Sequence, residues 1–260
     1  MKIVTLVKHV PDATGERKFA DDGTVDRAAA DGLLSELDEY AVEQSLQVAD
    51  GGSEVEVVAV TIGPDDAADA IKKALQMGCT SGVHVNDEAI HGSDALATSA
   101  ILAAVVRKVQ PDLVICGMAS TDGAMGVVPA MLAERLEWPA VTFGVDLKVD
   151  GDTVSIRRDG DTASQTIEAT LPAVVSVTDQ SGEARYPSMK GIMAAKKKPV
   201  EQWTLADLEV DPSTVGLAAA YTKVVDTTPR PPKEAGKKVT DEDGSGAEAL
   251  VEFLSAGKYI

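Results

Sequence analysis

The feature that most constrains this chain is an alternation of short apolar runs with longer segments whose apolar residues recur at helical spacing. Residues 2–8 (KIVTLVK) form the first run, and Pro11 breaks it. Over residues 37–49, Leu37, Ala41, Val42, Ser45 and Val48 fall at helical spacing. Residues 55–62 are a second apolar run. Gly63 and Pro64 then open a helix that runs to Met77 and stops at Gly78. A short strand at 82–85 is followed by a helix over 94–109, with Ile101, Leu102, Val105, Val106 and Val109 on one face. A strand at 112–117 and a helix at about 126–136 complete the series. Strand and helix in this order require right-handed crossovers around a parallel sheet. The expected fold is α/β and doubly wound, with a mainly parallel sheet.

The pattern changes beyond Val141. Short β-like runs up to Val177 are separated by Asp150-Gly151-Asp152 and Asp159-Gly160-Asp161, which predicts an antiparallel addition at the sheet edge. Residues 11–34, with Gly15, Asp21, Asp22 and Gly23, read as a loop or small hairpin. After residue 200, Pro229, Pro231 and Pro232 mark an extended segment, and only the terminal helix at 247–255 reads as carrying core-like apolar residues. Residues 1–200 are therefore expected to form one domain. Residues 201–260 are expected to form a C-terminal extension that packs on its own domain or on a partner chain.

Charge narrows the choice of partner. The formal net charge is −18, from 24 basic and 42 acidic side chains, and such a surface repels nucleic acid and anionic membranes. The acids are spread along the chain, as on a heavily solvated surface or one adapted to high salt. Cys79 and Cys116 lie far apart and form no C-x-x-C, so buried reduced thiols are expected. The sequence opens directly on a strand, and no apolar run approaches membrane-spanning length. A soluble, cytoplasmic chain without membrane insertion is the expectation. His9, His84 and His91 lack metal-ligand spacing and are expected at surface or strand-end positions, with no metal site.

Parallel α/β sheets bind ligands at the carboxyl ends of their strands. The ends here are residues 6–8, residues 61–64, and Gly117 with the loop behind it. The loop GMASTDGAMGVVP leads from strand to helix. Its small residues admit close backbone approach, and free N–H groups at the helix start suit an anion such as phosphate. The Lys-Ser/Thr pair of P-loop hydrolases, the G-x-G-x-x-G of dinucleotide folds and the G-x-S-x-G elbow are all missing, and no catalytic residue is expected. A second unusual segment, ARYPSMKGIMAAKKKPV, gathers Arg185, Lys190, Lys196, Lys197 and Lys198, with Arg158 nearby if its strand folds back. Met189, Ile192 and Met193 lie within it. Two readings stay open: an adaptable protein-binding surface, or a helix whose Met and Ile residues face the core.

Taken together these segments resemble the β subunit of electron-transfer flavoproteins. IVTLVKHVPD is similar to the family's first strand and turn, and SELDEYAVEQSL to its Asn-x-x-Asp-Glu-x-Ala-x-Glu helix start, with Ser35 in place of Asn. AVTIGP, ALQMGCTSGVHV and the 117–129 loop follow the same family. LPAVVSVT with EARYPSMKGIMAAKKK covers its signature. The resemblance implies a heterodimer with an α subunit that holds most of a redox-active FAD, and a structural AMP in this chain. The AMP site implied is Leu6, Ser35, Glu36, Leu37, Asp38, Ile62, Gly117, Met118, Ala119, Ser120, Thr121, Asp122, Gly123, Ala124, Met125, Gly126, Val127 and Val128. Val127 and Val128 stand where the family often has Gln or Thr, so backbone N–H groups would have to serve there. The implied docking loop, about residues 182–199, has Arg185, Tyr186, Met189, Ile192 and Met193. Met189 takes the place of the side chain that enters an acyl-CoA dehydrogenase. The resemblance also implies onward transfer to a quinone reductase. A second FAD in place of AMP, in an electron-bifurcating complex, is the alternative within the family. An ATP-using enzyme of related fold is the alternative outside it; it needs a phosphate-gripping cation near Gly117, and none lies between Gly117 and Arg135. A nucleotide sensor without a redox role is a third reading, in which the Met189 loop lacks a purpose.

Overall fold

The computed structural model describes residues 1–15, 18–52, 54–228, 231, 232, 235, 236, 238–241 and 243–260. Pro229, expected in the extended segment, lies outside the described residues. The described chain divides into two units, Met1–Val225 and Asp226–Ile260.

The first unit opens with β1 (Lys2–Leu6) and a small antiparallel pair, β2 (His9–Pro11) and β3 (Gly32–Leu34). Then α1 (Glu36–Gly51), β4 (Glu56–Ile62), α2 (Ala68–Met77), β5 (Ser81–Val85), α3 (Ala95–Val109), β6 (Leu113–Gly117) and α4 (Val128–Leu136) alternate. They are followed by β7 (Ala140–Asp150), β8 (Thr153–Asp159), β9 (Ser164–Thr170), β10 (Ala173–Val177), α5 (Met189–Ala195) and β11 (Val200–Trp203). The nine-stranded sheet runs β11-β5-β4-β1-β6-β10-β7-β8-β9. Pairing is parallel from β11 to β7 and antiparallel for β8 and β9.

Two apolar layers cover the sheet. Ile3, Val57, Ala59, Leu113 and Ile115 pack under α1 and α2, while Val4, Val58, Val60, Val114 and Cys116 pack under α3 and α4. Cover on both faces explains why β1, β4 and β6 read as unbroken apolar runs. Cys79 and Cys116 are buried and free. Burial pushes the Cys79 thiol up to about 12. From β1 the chain moves outward to β4 and β5. It then returns through α3 to β6 on the other side of β1, so that Val4 pairs with both Val58 and Val114. Strand order reverses between β1 and β6, which opens a crevice at their carboxyl ends.

The expected antiparallel edge addition is present in narrower form, and two further expectations need correction. The antiparallel addition is confined to β8 and β9 against the end of β7, because the wholly buried run AVVSV of β10 inserts between β6 and β7 in parallel. His84 does hold a strand-end position, next to the last residue of β5, but it is fully buried and not at the surface, with its Nε2 2.9 Å from the Gly63 carbonyl oxygen. The terminal helix is also not the seat of core-like residues beyond position 200. Leu205, Leu208 and Val215 are buried in the apolar layer under α3 and α4, and Lys108 of α3 stacks over Trp203 of β11 at 4.4 Å. In the second unit, α6 (Ser245–Ala256) has no buried residue. Among the described residues no helix is long and apolar enough to cross a membrane.

Candidate nucleotide site

The crevice between β1 and β6 is closed by one carboxylate. α1 begins at Glu36, and the Ser35 N–H donates to the Lys8 carbonyl at 2.9 Å. This places Asp38, in the first helical turn, beneath both strand ends. Its Oδ2 accepts the Lys8 N–H at 2.9 Å, and it also accepts the Gly117 N–H. Gly117 is required by this approach: a Cβ there would lie 2.6 Å from Asp38 Oδ1 and 2.7 Å from the Leu37 carbonyl oxygen. Asp38 thus ties the two lips of the crevice together.

Burial pushes the Asp38 pKa up to about 7, against the pull of the Lys8 and Gly117 N–H groups and the Lys8 charge. The protonated form is favoured in the fold, whereas in the unfolded chain the group ionises near 3.8. Its contribution to stability is therefore full below about pH 4 and is lost as pH rises through about 7. Asp38→Asn cannot ionise and is expected to flatten this part of the melting temperature's fall between those pH values. Thermal melts across the range test this, and parallel wild-type and variant curves would show that Asp38 carries no proton there.

Above Asp38 lies a charge cluster. Asp122, with its side chain only 4% exposed, takes Lys8 Nζ at 2.8 Å on Oδ1 and an Arg27 guanidinium nitrogen at 3.3 Å on Oδ2. Lys8 Nζ also lies 3.3 Å from Ser120 Oγ, and Arg27 donates to the His9 carbonyl at 3.0 Å. Burial opposes ionisation of Asp122, but the Lys8 charge and the Lys8, Ser120 and Gly123 hydrogen bonds outweigh it and hold the carboxyl well below the usual range. Two cations face one carboxylate, so the cluster carries a net positive charge at the mouth of the crevice.

The loop itself has donors to offer past its first turn. The Gly123 N–H is taken by Asp122 Oδ1 at 2.7 Å and the Ala124 N–H by the Ser120 carbonyl at 2.9 Å. Gly126 has φ +65°, and no side chain caps α4, which starts at Val128 with Pro129 next. The Ser35 hydroxyl is buried without a hydrogen-bond partner at the start of α1. An orphaned hydroxyl, uncapped helix N–H groups, glycines that permit close approach and a surplus cation are what a phosphate-bearing ligand needs.

Of the residues expected here, Leu37, Asp38, Gly117, Ser120, Asp122 and Gly123 are linked by the contacts above, and Leu6 ends β1 beside β4, whose last residue is Ile62. Glu36 and Met125 are exposed. Lys8 belongs to the candidate strand end 6–8 but not to the implied nucleotide site, and Arg27 lies outside all three candidate ends. Lys8 lies two residues beyond the end of β1, a cation at a strand end, and that position is the signal the sequence carries.

The second segment lies apart from the crevice. Tyr186, Met189 and Met193 are 93%, 76% and 59% exposed, and Ile192 is half-buried. This excludes a core role for the two methionines within this chain. Arg185 turns inward onto Glu43 of α1, Lys198 onto α2, and Arg158 onto the Thr142 carbonyl.

A profile described as "Electron transfer flavoprotein domain" matches residues 22–208. The electron transfer flavoprotein subunit beta of Mycobacterium tuberculosis (strain ATCC 25618 / H37Rv) is 47% identical over 99% of both chains. That of Clostridium acetobutylicum is 32% identical over the full length of both. Caffeyl-CoA reductase-Etf complex subunit CarD of Acetobacterium woodii is 32% identical over 92% of both. With a nine-stranded doubly wound sheet, a profile match across most of its length and relatives matched from end to end, the chain belongs to the electron transfer flavoprotein family as a β subunit.

Proposed function

We propose that this chain pairs with an electron transfer flavoprotein α subunit and serves as the non-catalytic half of an electron carrier between flavin dehydrogenases of the acyl-CoA type and a quinone reductase. The observation that carries this reading is the exposed Tyr186–Met189–Met193 surface on a chain of this family. Flexible apolar side chains left in solvent on a strongly acidic protein suit a docking surface. FAD, held mainly by the α subunit, supplies the redox chemistry. This chain supplies packing, the docking segment and a site for AMP.

In that site the N–H groups from Gly126 onward and the Lys8–Arg27 pair would receive the phosphate. Asp38 keeps the crevice lips in place, and the Ser35 hydroxyl gains the partner it lacks. Of the extension after residue 200, the part up to Val225 belongs to this chain's own first unit, and the part beyond it would pack on the α subunit. An ATP-using enzyme is less well supported. Lys8 and Arg27 do supply the cations once missing from its case, but both oxygens of Asp122, the acid it would need for a metal, are ion-paired.

The second reading, a second FAD in place of AMP, draws on the similarity to CarD, a subunit of a reductase–Etf complex. One experiment separates the two. The α–β complex is purified, denatured and its nucleotides identified and counted. One FAD and one AMP per complex is the expected result; two FAD would favour the second reading, and no adenine nucleotide beyond one FAD would overturn the site.

A further inference from the structure

We infer that Arg185 is a positioning residue for docking: it fastens the start of the exposed 186–193 segment to α1, so that Met189 meets a partner in a shape already formed. The inference rests on the docking reading of that segment.

The segment cannot hold its own shape. α5 has seven residues and none is buried, and so short a helix is marginal by itself. A local cap helps, the Ser188 Oγ accepting the Gly191 N–H at 3.0 Å, but the placement of the segment on the domain depends on its contacts with α1 and α2. At the far end Lys198 Nζ donates to the Leu75 and Gly78 carbonyls at 2.9 and 3.1 Å, which caps the carbonyl end of α2. Gly191 presses on the same helix end, where a Cβ would lie 2.5 Å from the Gln76 carbonyl oxygen. At the near end the tie is Arg185. Its Nε and its backbone N–H both donate to Glu43 Oε2, at 2.7 and 3.0 Å, and one terminal nitrogen donates to Oε1 at 3.0 Å. That nitrogen also reaches Asp50 Oδ2 at 2.9 Å.

Glu43 is buried on α1 and is steadied by Gln47 at 3.0 Å. A second strut, Gln44 Nε2 to the Ser181 carbonyl at 3.0 Å, holds the chain just before Arg185. Burial alone would raise the Glu43 pKa, yet the Arg185 bonds hold it below its ordinary value, so the pair is charged. A planar fork that grips both carboxylate oxygens fixes direction as well as distance. The single-point ammonium of lysine cannot do this. Tyr186 and Met189 follow within four residues of this fixed point. A segment ordered before binding loses less entropy on docking.

The test uses the intact α–β complex with a flavin dehydrogenase as electron donor. Arg185→Lys, Met189→Ala and the double variant are compared by the KM and kcat of dehydrogenase-dependent FAD reduction, and by hydrogen exchange of the 186–193 amides. Arg185→Lys is expected to raise KM about tenfold with kcat unchanged and to speed exchange across the segment. In the Met189→Ala background it should add little, because the side chain it positions is gone. Glu43→Gln, which removes the partner charge at the same shape, should reproduce the effect and decides the matter if Arg185→Lys fails to fold. A normal KM for Arg185→Lys or Glu43→Gln beside a raised KM for Met189→Ala overturns this inference alone. So does a double variant whose effects simply multiply. A normal KM for Met189→Ala overturns the docking reading, and this inference with it.

Discussion

Truncation of Met189 to alanine is expected to raise the apparent KM of the complex for a partner dehydrogenase about thirtyfold, with melting temperature and flavin spectrum unchanged. The magnitude is that of a central anchor, about 2 kcal/mol. The unchanged stability follows from position. Met189 is 76% exposed, at the first residue of a helix with no buried side chain, so its removal opens no cavity. A methionine in a packed interior would instead cost roughly 2–5 kcal/mol of stability on truncation. Melting curves and dehydrogenase-dependent FAD reduction on one preparation separate the two. A destabilised complex that still accepts electrons with normal affinity would end the docking role.

The second large effect is expected at Gly126. Its φ of +65° is strained for a β-branched residue, and a Cβ there would lie 3.3 Å from the Met118 carbonyl oxygen. Gly126→Val therefore adds about 1–3 kcal/mol of local strain and places methyl groups where the backbone must approach a phosphate. AMP recovered from the purified complex should fall at least about tenfold, with the FAD content unchanged. Gly126→Ala, with less bulk, should fall between wild type and valine. Full nucleotide content in the valine variant would mean that the phosphate lies elsewhere.

Lys8 and Arg27 bear on both the site and its legibility. The loop from Gly117 to Val128 contains no cation, and from the sequence this counted against gripping of a phosphate by charge. In the fold Lys8 comes from the end of β1 and Arg27 from the excursion between β2 and β3, and both converge on Asp122. Their sequence separations from Asp122, 114 and 95 residues, put the arrangement beyond any local motif. A similar separation hid the role of Arg185. In sequence it belongs to a basic cluster beside apolar residues, and so reads as surface. In the structure its charge is matched by a glutamate 142 residues earlier.

The sequence by itself determined the elements and their class. Continuous apolar runs at β1, β4 and β6, helical spacing between them, and the small-residue loop after Gly117 are local signals. They specify buried parallel strands, crossover helices and a backbone able to approach a ligand. The family match followed from the same residues. The tertiary structure alone decided which strands are neighbours, and thereby what meets in space. It placed β10 between β6 and β7, drew residues 200–203 onto β5, buried His84, and set Asp38 beneath two strand ends. Strand order and side-chain charge pairing depend on contacts between residues far apart in the chain, so no window of sequence carries them; they appear only when burial of both sheet faces forces those segments together.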